Sequence, residues 1–270
     1  MRDTETYHAL VTKLREFFLL RGYKEVPTQS RLSILAACEN PHSVATFEFN
    51  GTVWPLPQTG QMWLEYELLK NPSWEGVFCI STSYRDEKTP IEGRHEKIFP
   101  MFEFEGKGTM KDLETLEEQL ILYLGFPLSV KMDYDTTCQQ YGGVLTLEDE
   151  HESRMWAEKG PVVSLQMFPE RTSPFWNMKR MDTGLYNKID VILYGQETIG
   201  SAERSCNVEE MRKIFYSVSE GTYSAKLFEL FGKERVEAEL EEYLATPFFP
   251  RFGGGIGLTR LARAWKLRYT

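Results

Sequence analysis

RDEKTPIEGRHEKIFPMFE, residues 85–103, gathers more chemistry than any other stretch of this 270-residue chain. Arg85, Arg94 and His95 flank a loop, with Glu87 just after the first arginine and Phe99 and Glu103 on the returning segment. Guanidinium forks can grip phosphate oxygens two at a time. Phe99 offers a flat face to a base, and the acidic groups can accept from amines. That inventory suits ATP together with an amino acid. A charged hairpin loop with no ligand fits the same residues.

The flanks of the loop read as strands, residues 77–84 and 98–105, forming a long antiparallel hairpin. Upstream, Tyr7, Leu10, Val11, Leu14, Phe17 and Phe18 repeat at helical spacing, with Asp3 or Thr4 as cap and Gly22 as stop. A short strand is expected over 24–27, with Pro27 at an edge or end, then a helix over 31–38 and a loop over 39–43. Residues 47–55 alternate like one strand, and 61–70 read as a helix. Helices are also expected over 113–124, with Glu117 and Glu118 in solvent, from 209, over 233–244 and from 258; a strand is expected over 188–193. No repeat or linker interrupts the pattern, and one mixed α+β domain spanning 1–270 is the economical organisation.

Composition narrows the function. The content, 41% hydrophobic and 13% aromatic, supports a globular core. A net charge of −9 gives no overall basic footprint, which excludes a general DNA binder. Cys38, Cys79, Cys138 and Cys206 are scattered, without metal spacing, and read as reduced thiols. There is no membrane-length apolar run and no apolar signal core near the first residues, so the cytoplasm is the expected location.

Two further clusters carry chemistry. Asp190, Glu197 and Arg204 follow one another at intervals of seven. Asp190 lies in an apolar strand, where an unpaired carboxylate is costly. Two carboxylates beside a nucleotide suit magnesium, which favours oxygen ligands; structural ion pairs are the alternative. Farther on, Gly253, Gly255 and Gly257 alternate ahead of Arg260. Glycines let a ligand or a strand approach the backbone closely, and Arg260 at a helix start can reach a terminal phosphate.

Taken together and in this order, the clusters resemble the catalytic core of class II aminoacyl-tRNA synthetases, nearest the aspartyl, asparaginyl and lysyl subgroup. Gly22-Tyr23-Lys24-Glu25-Val26-Pro27 resembles motif 1, Arg85-x-Glu87 with Arg94-His95 and Phe99 resembles motif 2, and Gly253-x-Gly255-x-Gly257-x-x-Arg260 resembles motif 3. The resemblance covers nearly the whole chain. It implies an antiparallel sheet flanked by helices, a homodimer through the motif 1 region, and ATP and Mg2+ as cofactors.

The resemblance also implies roles. Arg85 would bind the α-phosphate and the amino-acid carboxylate, Glu87 the adenine amine, and Phe99 the adenine ring opposite Arg260. Arg94, His95 and Arg260 would hold the outer phosphates, and Asp190 and Glu197 the magnesium. Glu103 would accept from the substrate ammonium. Arg204, with Gln61 and Glu65, would complete the amino-acid site. Aspartyl enzymes carry a lysine where Leu64 stands, whereas Gln58-Thr-Gly-Gln61-Met-Trp-Leu64-Glu65 is nearer the asparaginyl pattern. Glu65 would then accept from a side-chain amide while Arg204 donates to its oxygen.

The chain also departs from that pattern. Residue 1 stands at the motif 1 helix, with no anticodon-binding barrel before it, Thr259 and Ile98 replace usual acidic residues, and 43–46 lack a Glu-Gly-Ala stretch. These departures weigh against tRNA charging and leave tRNA open as a partner. The leading expectation is a free-standing core that forms an adenylate of asparagine or aspartate, as in asparagine synthetase-related proteins, with ammonia or a small acceptor taking the activated residue. An asparaginyl-tRNA synthetase-like enzyme and a non-catalytic regulatory paralogue are the alternatives.

Overall fold

In a computed structural model of the chain, the described residues are 3–27, 33–35, 41–91, 94 and 96–268. Helix α1 (Thr4–Leu19) starts on Asp3, whose carboxylate accepts from the Thr6 amide at 3.1 Å. It ends as expected at Gly22, in the left-handed region at φ 80°. Strand β1 (Lys24–Glu25) is shorter than the expected 24–27, and Pro27 follows its end. Of the helix expected over 31–38, only Ser33–Leu35 is described, as a single 3-10 turn, and the rest lies outside the described residues. In the loop expected over 39–43, Pro41–Ser43 forms another such turn.

Residues 47–55 are not one strand. They fold into a hairpin, β2 (Ala45–Phe49) and β3 (Thr52–Leu56), because Asn50 and Gly51 both take positive φ, 51° and 70°. Asn-Gly is the pair that a two-residue hairpin turn favours. Helix α2 (Gln61–Lys70) has the expected bounds, and β4 (Gly76–Tyr84) and β5 (Ile98–Lys107) form the expected long hairpin.

Helix α3 (Met110–Tyr123) follows. Glu117 is 3% exposed rather than solvated: it shares the inner face with Leu113, Leu116 and Leu120 and accepts from Ser201 Oγ at 2.7 Å. Glu118 is accessible and pairs with Lys131. Next come β6 (Val130–Asp133), α4 (Tyr134–Gln140), α5 (Asp149–Lys159) and β7 (Val162–Pro169), none of them anticipated from sequence. The chain continues through β8 (Leu185–Leu193), β9 (Gln196–Glu203), α6 (Val208–Ser217), α7 (Thr222–Phe231), α8 (Lys233–Leu244), β10 (Arg251–Gly257) and α9 (Leu258–Leu267).

The architecture is α+β. Eight strands form one sheet in the order β1-β4-β5-β10-β9-β8-β7-β6, antiparallel except for the β1/β4 and β6/β7 edge pairs. On one face, Phe78, Phe102, Phe104, Val191, Ile199, Phe252 and Ile256 pack against α1, α3 and α9. Phe18 anchors that core, its ring centroid 5.1 Å from those of both Phe102 and Phe104. A second core gathers α2, α6, α7 and α8 around Trp176, and a third sets α4 and α5 against β7.

Strand alternation separates the sheet's two jobs. On β10, Phe252, Gly254 and Ile256 face the first core; Gly253, Gly255 and Gly257 face the other side, opposite Glu105, Glu103 and Met101 of β5. The alternating glycines leave the middle of that second face without side-chain bulk.

Candidate active site

A cleft of about 460 Å³ lies on the glycine face of the sheet. Arg85, Glu87, Arg94 and Phe99 of the β4–β5 hairpin line it, together with Asp190 and Glu197, Gln61 and Arg204, and Arg260. Residues spread from Gln58 to Arg260 in sequence are thereby brought to one concave surface, with the β5-β10-β9-β8 strand order beneath it. His95 lies outside the described residues.

Arg85 follows the last residue of β4, and its amide donates to the Lys97 carbonyl at 2.7 Å, closing the hairpin neck. Its guanidinium sits 5.4 Å from the Phe99 ring centroid, so a charge and an aromatic face are presented together. Arg260, in the first turn of α9, donates through Nη1 to the Glu197 carbonyl at 2.8 Å. Gly257 lies beneath the Arg260 side chain.

Asp190 and Glu197 reach the same face through a bulge. The β8/β9 register pairs Asp190 with Gly200 and Val191 with Ile199, then slips so that Ile192 faces Glu197. One extra residue resets the alternation, and Glu197 turns to the side of Asp190 instead of into the core. Both carboxylates converge over Gly200, where a Cβ would come within 3.1 Å of Glu197 Oε1 and 3.6 Å of Asp190 Oδ1. Lys188 Nζ holds Asp190 Oδ2 at 2.7 Å. Among the described residues no group of three His, Cys, Asp or Glu is arranged for a metal. The donor set therefore fits magnesium only as an ion shared with phosphate oxygens, its usual habit.

Glu65 and Glu103 are not in the wall. Glu103 is fully buried on β5, where Thr59 and Ser81 hydroxyls donate to it and the Gly60 amide does so at 2.8 Å. Burial pushes its carboxyl upward, and those donors oppose the shift. Thr59, not Glu103, reaches the cleft. Glu65 is also fully buried: Asn177 Nδ2 donates to Oε1 at 2.5 Å, and Tyr243 Oη and Arg251 Nε to Oε2 at 2.7 and 2.9 Å. With these donors already in place, a substrate amide does not meet Glu65 directly, contrary to the expectation from sequence. Gln61 and Glu65, four apart, share the face of α2 that meets Arg204; Gln61 in the first turn reaches the cleft, and Glu65 lies one turn deeper.

Arg94 is committed to protein acceptors. Its Nε lies 2.8 Å from Asp149 Oδ2, Nη2 is 2.5 Å from Glu152 Oε2, and Nη1 donates to the Gly195 carbonyl at 3.2 Å. Glu152 also accepts from the Glu197 amide at 3.0 Å, and burial followed by the like charge of Glu197 pushes its carboxyl upward. Sequence reasoning missed Asp149 and Glu152, because acids in a first helical turn look like ordinary dipole partners. It also missed the segment 172–178, from which Ser173, Phe175 and Met178 line the cleft.

Solved structures share this architecture. Asparaginyl-tRNA synthetase from Pyrococcus horikoshii complexed with asparaginyl-adenylate superposes with a TM-score of 0.81 at 20% identity, covering 98% of this chain and 65% of that one. Asparaginyl-tRNA synthetase from Entamoeba histolytica in complex with asparaginyl-adenylate gives 0.75 at 16% identity, covering 97% and 63%. The chain thus spans just under two thirds of the length of these relatives. No curated protein sequence matches it. Among the described residues no helix is long and apolar enough to cross a membrane. The family model for class II tRNA synthetases (D, K and N) matches residues 4–265, and the chain belongs to that family.

Proposed function

We propose that the chain uses ATP to activate asparagine or aspartate as an aminoacyl-adenylate, releasing pyrophosphate. The observation that carries this reading is the placement of Arg85, Phe99, Arg260 and the Asp190–Glu197 pair at one cleft with Gln61 and Arg204. In the reaction a carboxylate oxygen of the amino acid attacks the α-phosphorus. The new O–P bond forms as the bond to the bridging oxygen breaks, and pyrophosphate leaves with that electron pair. No protein nucleophile is needed; positioning and charge stabilisation suffice.

Arg85, beside Phe99, would hold the α-phosphate where charge builds up, and Glu87 would accept from the adenine amine. Arg260 would meet the outer phosphates. Asp190 and Glu197 would hold magnesium, which supplies charge neutralisation on the phosphates when bound. Thr59, fixed by Glu103, would face the amino-acid end, with Gln61 and Arg204 donating to its side chain.

A net charge of −9 disfavours a polyanionic acceptor, so ammonia or a small acceptor is proposed in place of tRNA. A homodimer through the α1–β1 region and a cytoplasmic setting complete the proposal. Pyrophosphate–ATP exchange across an amino-acid panel tests it: exchange is expected with asparagine or aspartate and is abolished in Arg85→Ala. Absence of exchange with both amino acids overturns the activation reading.

A further inference from the structure

The carboxylate pair over Gly200 is bracketed by two cations. Arg260 Nη1 lies 3.7 Å from Glu197 Oε2, and Lys188 Nζ lies 2.7 Å from Asp190 Oδ2. Two positive and two negative side chains therefore meet on one wall of the cleft. Their neighbours change that balance little. Glu152, which accepts from the Glu197 amide, is paired with Arg94. Glu117 reaches Asp190 electrostatically from the α3 side of the sheet, where burial pushes its carboxyl up to about 8, so it adds little charge near neutral pH.

The strand itself places Lys188. Alternation puts Lys188 and Asp190 on one face of β8, while Ile189 and Val191 turn into the first core. Lys188 is paired across the sheet with Ala202, and Ala202 with Gly253, so no bulky neighbour crowds it from that side. The side chain leans along the strand to Asp190, with the Phe168 ring centroid 4.0 Å from Nζ on the β7 side. The Lys188 and Asp190 side chains are 21% and 12% exposed, which leaves the pair weakly screened by salt. An ammonium has donors only and cannot itself ligate a metal.

A divalent cation arriving alone would meet two carboxylates whose charges are already matched, with a fixed ammonium beside one of them. Like charges at that range repel strongly where water is scarce. A nucleotide alters the balance, because its phosphates bring both negative charge and the oxygen ligands that magnesium favours.

We propose that Lys188 is a specificity-determining residue of the metal subsite: its ammonium, held on Asp190, keeps the Asp190–Glu197 pair from taking a divalent cation without the phosphates of a nucleotide. Lys188 acts through Asp190, which makes it a positioning residue. The inference rests on the reading of this pair as the magnesium ligands of an ATP-activating cleft, and adds when the metal enters.

The test is titration of Mn2+ alone, without nucleotide, into the full chain, with free Mn2+ read by electron paramagnetic resonance. Wild type should show no micromolar site at this pair. Lys188→Met and Lys188→Gln remove the charge and should each bind Mn2+ at least about tenfold more tightly than wild type. Lys188→Arg keeps the charge and should behave as wild type. Adding Glu197→Gln to Lys188→Met should abolish the gained site, which distinguishes the pair from acidic surface elsewhere. The inference is overturned by a micromolar wild-type site that Glu197→Gln removes, by unchanged affinity in both neutral variants, by an equal gain in Lys188→Arg, or by a gain that survives Glu197→Gln. The first of these applies even where the neutral variants fail to fold. Pyrophosphate exchange is run in parallel on wild type: the expected Mn2+ behaviour without exchange supports this inference while overturning the activation reading alone.

Discussion

Gly253 and Glu105 are cross-strand partners on β10 and β5, and the Glu105 carboxyl occupies the space where a side chain at 253 would begin. A methyl group there overlaps the carboxyl itself, which is tied to Arg204 and cannot swing into solvent. Gly253→Ala should lower stability by about 1–3 kcal/mol, the usual cost of overpacking. It should also displace Arg204 and weaken amino-acid binding. Urea denaturation and calorimetry on one preparation check both effects; wild-type values in both would show that the strand pair yields easily.

Glu65 and Arg251 are both fully buried, and their pairing links α2 to β10. Removing one partner of such a pair strands the other charge in a medium that solvates it poorly. Arg251→Met should therefore cost about 3–5 kcal/mol in unfolding free energy. The double change Arg251→Met with Glu65→Leu should recover part of that loss, since no charge is then left alone. A double-mutant cycle by chemical denaturation measures the recovery.

Much of the fold was legible because its helices and hairpin obey simple periods. The spans 61–70 and 233–244 coincide with α2 and α8, and the 77–84 and 98–105 strands lie within β4 and β5. The Asn50-Gly51 turn was legible too, but β-type alternation on both sides of it masked two short strands as one. Glu117 sits between Leu113 and Leu120 on the apolar stripe of α3, so helical spacing already pointed it inward. The charged cluster was not legible. Glu105 meets Arg204 across 99 positions and Glu65 meets Arg251 across 186, and no local period reports such pairings. The bulge that turns Glu197 toward Asp190 leaves no mark in the residue types either.

Glu117 gives the protein a pH dependence with a definite sign. Burial, opposed by the Ser201 hydrogen bond, pushes its carboxyl up to about 8 from an ordinary value of 4.5. The folded chain thus keeps a proton that the unfolded chain releases above its ordinary pKa. Stability from this group is fully present below about 4.5 and is lost as pH rises toward about 8. Thermal melts between those limits should show the wild-type midpoint falling more steeply with pH than that of Glu117→Gln. Equal slopes would mean that Glu117 is already ionised in the fold.

Leu19 and Leu20 at the end of α1 are 53% and 80% exposed, and Leu122 and Tyr123 at the end of α3 are 50% and 37% exposed. The two helix ends touch, with the Phe17 and Tyr123 ring centroids 5.4 Å apart. A shared apolar patch beside the proposed dimer-forming segment is expected to be covered by a second copy of the chain. Leu20→Glu with Leu122→Glu should convert a dimer into a folded monomer in light scattering. A wild-type monomer across the micromolar range would remove this surface from the proposal.

Arg94 donates from Nη1 to the Gly195 carbonyl and from Nη2 to Glu152, and its guanidinium also forms an ion pair with Asp149. If this arginine serves the outer phosphates, ATP has to compete with both acids for it. Glu152 also holds the Glu197 amide, so altering it disturbs the proposed magnesium ligand as well. Asp149 is the cleaner probe, since it is 39% exposed and its described ion pair is with Arg94 alone. A partly exposed pair contributes about 0.2–1 kcal/mol, which corresponds to roughly 1.4- to 5-fold in an equilibrium. Asp149→Asn should accordingly lower KM for ATP within that range and leave kcat unchanged, whereas Arg94→Ala should raise KM. ATP titrations of the exchange rate distinguish the cases: a higher KM in Asp149→Asn would mean that the acid positions Arg94 for the phosphates instead of competing with them.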